Sequence, residues 1–286
     1  VFCCFIGVIK FIGKPGMEAQ MTIRYYSTNR RVKTIPGIAP FAGSVSFKEA
    51  LLAGQAPDEG LFMPDTIPTL AMSDIIALRE KPYWQAALLV AQSFLSEEFS
   101  PAVLEEIVKD AYNYPVPLEA VYPRAFILRL DQGPTASFKD FAARMMARLM
   151  SHSRPEGERI NILVATSGDT GSAVGEAYKG VAGIDVTILY PAAEVSAMQK
   201  KQLDTIGGNV QAVSVDGKFD DCQNLVKEAF SDPELVRFNL SSANSINFGR
   251  ILPQIVYYVW AYAQLAGAGE EVVFCVPSGN FGNALG

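Results

Sequence analysis

The chain of 286 residues has a single histidine, His152, and four cysteines, Cys3, Cys4, Cys222 and Cys275. The cysteines have no C-x-x-C spacing and no partner histidines, which argues against a zinc site and against a disulfide framework in a chain this long. One histidine, read in a loop at Ser151–Pro155, and no G-x-S-x-G motif leave little for a hydrolase triad. Basic excess is also missing: 24 Lys+Arg against 30 Asp+Glu give a net charge of −6, which disfavours a nucleic-acid surface. A long apolar run is missing too. Val1–Gly13 is broken by Lys10 and falls short of the roughly 20 residues that cross a bilayer. It lacks the basic start and the cleavage site of a signal peptide. Met21 reads as a natural start, residues 1–20 as a non-native upstream extension, and the chain as a fragment that stops just after a glycine-rich loop opens.

What is present supports a folded protein of two domains. Hydrophobic residues make up 49% and charged residues 19%, enough for a sizeable core. Residues 21–115 are mixed, with a helical pattern in Ser46–Leu52, a turn-rich stretch over 54–68, and helices expected at 73–79, 82–95 and 101–110. From 116 the pattern alternates. Strands are expected at Phe126–Leu130, Ile160–Thr166, Val186–Tyr190, Val210–Val215 and Val272–Val276. Helices are expected at 138–150, 171–180, 196–206, 219–230 and 246–266. Short β-branched runs between amphipathic helices predict an α/β fold with a mainly parallel sheet, whose ligands sit in the loops after the strands. Cys275, in an apolar run, reads as a core thiol. Asp220 and Asp221 read as helix-start acids.

Three loops carry unusual residues. In Gly133-Pro134-Thr135-Ala136-Ser137-Phe138-Lys139-Asp140, Ser137 and Asp140 predict a capping box that sets Lys139 in the first helical turn. A cation there opposes the helix dipole, which favours the free amine and suits a nucleophile or base. The loop alone is equally consistent with a solvated lysine on the polar face. Thr166-Ser167-Gly168-Asp169-Thr170-Gly171-Ser172 follows a buried strand and fits neither the dinucleotide fingerprint nor a P-loop. It reads as an anion cradle or as an ordinary strand-to-helix turn. Pro277-Ser278-Gly279-Asn280-Phe281-Gly282-Asn283 repeats that grammar. Two cradles and a misplaced lysine suggest a phosphate-bearing cofactor joined to an amine.

The motifs, taken in order over residues 22–286, resemble those of threonine synthases, in the tryptophan-synthase-β-like group (fold type II) of pyridoxal-phosphate enzymes. The opening segments Tyr25–Thr28, Ser46–Ala50 and Ala56–Leu61 share the resemblance. It implies a three-layer αβα fold, pyridoxal 5′-phosphate as cofactor, and O-phospho-L-homoserine as substrate, converted with water to L-threonine and phosphate. Lys139 would carry the cofactor and move protons. Asp169 would lie at the cofactor ring, where many relatives have Asn. Gly279, Asn280, Phe281, Gly282 and Asn283 would cradle the cofactor phosphate. Thr166 and Ser167 would take the substrate carboxylate. Thr170, Asn244, Ser245 and Arg250 would take the substrate phosphate. Read without the resemblance, Arg250 could equally lie on the surface of helix 246–266, and Asn244 could cap it. The resemblance also implies a cytoplasmic monomer or homodimer, with no nucleic acid, membrane or metal, and places the partner of the pyridine nitrogen beyond Gly286. A related phospho-amino-acid lyase, or an inactive fragment, is the alternative.

Overall fold

The computed structural model describes residues 3–9, 22–32 and 37–286; the expected start at Met21 lies outside them. Strand β1 (Cys3–Ile9) is followed by β2 (Tyr25–Ser27), the middle strand of an antiparallel trio with β3 (Ser44–Val45) and β4 (Phe62–Pro64). Between these, α1 (Phe47–Ala53) opens on a capping box: Ser46 Oγ accepts from the Glu49 N–H and the Glu49 carboxylate accepts from the Ser46 N–H. Three more helices follow, α2 (Met72–Ile76), α3 (Tyr83–Leu95) and α4 (Pro101–Ala111). The last has Ser100 as cap and Pro101 as first residue, as the sequence predicts. Helix α2 ends earlier than expected, in a run of turns that brings out Arg79.

The second half begins with a hairpin, β5 (Leu118–Tyr122) and β6 (Ala125–Leu128). Then α5 (Lys139–Ser153), β7 (Ile160–Ala165), α6 (Asp169–Tyr178), β8 (Ile184–Pro191), α7 (Ala197–Asp204), β9 (Val210–Val215), α8 (Phe219–Ser231), β10 (Leu240–Ser241) and α9 (Phe248–Leu265) alternate. Strands β10, β7, β8 and β9 lie in that order, all parallel, as the α/β reading requires. Helices α5 and α9 are the core: Phe141, Met145, Met146, Leu149, Leu252 and Val256 are fully or almost fully buried. Strand β11 (Val272–Ser278) and a last turn, α10 (Gly282–Leu285), complete the described chain.

Several expectations are corrected. The strand near 126–130 does not enter the parallel sheet. Only Pro123 and Arg124, with Arg124 at φ 64°, separate it from β5, and so short a link permits only an antiparallel pair. Strand β11 pairs antiparallel with β1 rather than joining the parallel strands, Ile9 facing Val272. Its alternate residues are consequently left uncovered, and Cys275 is exposed instead of a core thiol. His152 is in the last turn of α5, where Nδ1 lies 2.9 Å from the Arg148 carbonyl oxygen, and not in a loop.

The first half is seated on α9. Phe248 packs against Tyr25, Phe47 and Phe94 at ring-centroid distances of 5.1, 6.5 and 6.3 Å. At the other end of α9, Arg79 donates to the carbonyl oxygens of Ala263 and Ala266, two acceptors that a helix terminus leaves without partners.

Candidate active site

The loop before α5 is folded around Asp140. The buried Asp140 carboxylate accepts from the Thr135 N–H (2.9 Å) and the Thr135 hydroxyl (2.7 Å). Burial pushes this carboxyl above its ordinary range, against the two Thr135 bonds that favour its anion. A Cβ on Gly133 would sit 2.5 Å from the Asp140 carboxylate, so the clasp needs glycine there. The predicted capping box is therefore only half made. Asp140 is met by Thr135 and by the backbone of Ser137, but Ser137 Oγ accepts from the Lys139 N–H at 3.3 Å, and Phe138 takes the N-cap position. The outcome for Lys139 is the expected one, the first turn of the helix. Its ammonium lies 4.8 Å from the Phe138 ring centroid and 3.4 Å from Asp169 Oδ2.

Asp169 is held by the second loop. Gly168 has φ +137°, open to glycine and strained for other residues. Thr166 Oγ1, buried, accepts from the N–H groups of Gly168 (3.0 Å) and Gly171 (2.9 Å). The hydroxyl thus ties the turn together from below, while Ser167 is exposed above it and Thr170 is half-buried. Asp169 Oδ1 accepts from Gln199 Nε2 at 2.8 Å, across from α7. Sequence reading missed Gln199. The spacing Ser196-x-x-Gln199 signals a helix cap, and nothing in it points across to another loop.

The third segment is built on Asn247, not Asn244. Asn247 caps α9 by accepting from the Gly249 N–H, and its amide nitrogen donates to the carbonyls of Leu51 (2.8 Å) and Ser242 (3.0 Å). Freed from capping, Asn244 keeps a buried Oδ1 with no hydrogen-bond partner. Arg250 is 5% exposed, so a surface position is ruled out. One of its nitrogens donates to the Ala243 carbonyl (2.7 Å), and its Nε is buried and unpartnered. Burial pushes the guanidinium down to about 10, with Tyr178 and Asp140 acting in the opposite direction. A buried cation and an orphaned amide on one segment are costly unless something polar meets them.

The glycine loop after β11 stands against this segment: a Cβ on Gly282 would lie 3.5 Å from Ser245 Cβ. Asn283 is locked, with Nδ2 donating to the Pro277 carbonyl, Oδ1 accepting from Ser278, and its own carbonyl accepting from Tyr257 and Tyr258. Phe281 adopts φ 57° and, like Gly279 and Asn280, is exposed. Phe138 and Asn283 both border a cleft of about 1240 Å³ between the β5–β6 hairpin and α9 with β11. The structure therefore joins Lys139 with Asp169, and Ser245 with Gly282, around adjoining loops.

A family described as threonine synthase N terminus matches residues 24–112, and one described as pyridoxal-phosphate dependent enzyme matches residues 116–286. The threonine synthase of Haemophilus influenzae is 44% identical over 241 residues, which is 84% of this chain and 56% of that protein. The Escherichia coli threonine synthase is 42% identical over the same shares. Among solved structures, a pyridoxal-phosphate-bound threonine synthase from Brucella melitensis superposes with a TM-score of 0.81 at 40% identity, covering 91% of this chain and 56% of that one. The yeast threonine synthase gives 0.78 at 32% identity, covering 94% and 55%. The chain thus spans little more than half the length of the relatives it matches. With a match over residues 116–286 and the α/β fold to go with it, the chain belongs to the pyridoxal-phosphate-dependent enzyme family, and the relatives named above are its threonine synthases.

Proposed function

We propose that the protein acts as a threonine synthase, converting O-phospho-L-homoserine and water to L-threonine and phosphate with pyridoxal 5′-phosphate as cofactor. The observation that carries this reading is Arg250. It is a buried cation with an unpartnered Nε, on the segment that also carries Asn244, and a phosphate ester supplies the acceptor that Nε lacks. Arg250, with Asn244 and Ser245 on the same segment and Thr170 on the second loop, would hold the substrate phosphate, whose oxygens would accept from the guanidinium. Ser167, exposed above the turn that Thr166 braces, would donate to the α-carboxylate, with Thr166 below it.

The residues present fit the cofactor. Gly279 has open space where a Cβ would be, and its loop offers successive N–H groups of Gly279 to Asn283 to a phosphate. When bound, pyridoxal phosphate supplies an electron sink for charge developing at the substrate's α carbon. Lys139 would hold it through its amine and then move protons at the α and β carbons, taking one and returning one. Asp169, 3.4 Å from the Lys139 amine, would keep that nitrogen placed between transfers.

No helix among the described residues is long and apolar enough to cross a membrane. A cytoplasmic monomer or homodimer is part of the same proposal. The test is release of inorganic phosphate from O-phospho-L-homoserine, with equimolar threonine, by the protein loaded with pyridoxal phosphate. Phosphate without threonine would point to a different lyase, and neither product would overturn the reading.

A further inference from the structure

Gln199 has both ends of its amide committed. At the third position of α7 its Oε1 accepts from the Ser196 N–H at 3.0 Å, while Ser196 Oγ accepts from the Gln199 N–H at 3.2 Å. That reciprocal cap fixes which way the amide faces: the oxygen belongs to the cap, so the NH2 group must point outward from it. It points at Asp169 Oδ1, 2.8 Å away, and the other oxygen of the same carboxylate lies 3.4 Å from Lys139 Nζ. Space for this arrangement is provided by Gly168, where a Cβ would come within 2.3 Å of the Gln199 amide nitrogen. The Asp169 side chain is 53% exposed, and an ion pair that open is weak and easily rotated apart on its own.

We propose that Gln199 is a positioning residue, which holds Asp169 against the amine of Lys139 and so ties the start of α7 to the reactive lysine. The functional meaning rests on Lys139 being the working amine of the proposed reaction. The geometric claim does not, and it is tested without cofactor. An amine held in a hydrogen-bonded ion pair meets an acylating reagent more slowly than a free one. Replacing Gln199 by methionine releases Asp169, and with it the Lys139 amine. Replacing it by glutamate keeps the acceptor that caps Ser196 but removes the donor and repels Asp169, which releases the amine without loosening the cap.

The measurement is the acylation rate of Lys139 by acetic anhydride at pH 8 in the unloaded protein. It is read by peptide mass and normalised to the exposed Lys227. The expected result is roughly threefold faster labelling in both Gln199→Met and Gln199→Glu, in line with loss of a half-exposed ion pair. In an Asp169→Asn background, adding Gln199→Met should change the rate no further. Equal rates in wild type and Gln199→Met would overturn the proposal. So would faster labelling in Gln199→Met alone, the sign of a loosened helix cap and no more. Should Gln199→Met fail to fold, Gln199→Glu decides alone: a rate equal to or below wild type overturns it. A positive result with no cofactor binding would leave the geometry standing and remove the functional assignment.

Discussion

Arg250 shows how much a single residue's surroundings add to its letter. In the sequence it is one position of an amphipathic helix, compatible with a surface site, because periodicity cannot say which stripe of α9 faces which neighbour. In the fold it is buried beside Ala243 and Tyr178, with no carboxylate hydrogen-bonded to it. Burial pushes its pKa down to about 10, below the ordinary guanidinium range. The sign of the consequence follows. The folded protein holds this proton less tightly than the unfolded chain, so the cation costs stability below about pH 10 and stability rises with pH above it. A bound anion offsets that cost. Inorganic phosphate near pH 7.5 is therefore expected to raise the melting temperature by roughly 5 °C when well above its dissociation constant. The rise should fade as pH passes about 10 and vanish in Arg250→Ala. An equal rise in Arg250→Ala would show that phosphate binds elsewhere. Cys275 fails in the other direction: its apolar run reads as core, yet which face of β11 is covered depends on a partner strand the run does not name.

Among the elements, the parallel strands and the helices between them were legible because each short β-branched run is followed by an amphipathic stretch and a turn signal. Strands β7, β8 and β9 fall within two residues of their expected bounds, and α5 begins one residue from its own. Pairing was less legible. The hairpin β5–β6 and the antiparallel seat of β11 depend on link length and on edges left free, neither of which hydrophobic periodicity encodes. Caps were half legible: the sequence left Asn244 open as a cap for α9, three residues too early. Asn247 is the cap, and it also donates to Leu51 of α1, so the start of α9 and the first half of the chain share one side chain. Asn247→Ala removes a cap and leaves two buried carbonyls short of a donor. A loss of about 2–4 kcal/mol in unfolding free energy is expected, measured by urea denaturation. A loss under about 0.5 kcal/mol would mean that the junction carries little.

For the whole molecule, the first half supplies the platform and the second half carries the loops of the candidate site. Tyr25, Phe47 and Phe94 hold Phe248, while Leu51 meets the space left by Gly249, where a Cβ would lie 2.3 Å from Leu51 Cδ1. The segment that carries Asn244 and Arg250 is thereby pressed between the two halves. Lys139, Asp169 and Gln199 stand on three successive helices at the carboxyl ends of the parallel strands or beside them, where α/β sheets bind ligands. The motifs of this site were legible as three loops, and the family resemblance assigned their roles. Gln199 was not legible, because its partner lies 30 residues away and only folding brings them together. The central claim is that Lys139 carries the cofactor. Its most direct test is borohydride reduction of the protein incubated with pyridoxal phosphate, followed by peptide mass mapping. Lys139 as the cofactor's carrier predicts loss of the visible absorption band and a stable pyridoxyl adduct on Lys139, absent in Lys139→Ala. An adduct on a different lysine, or none on Lys139, would contradict it.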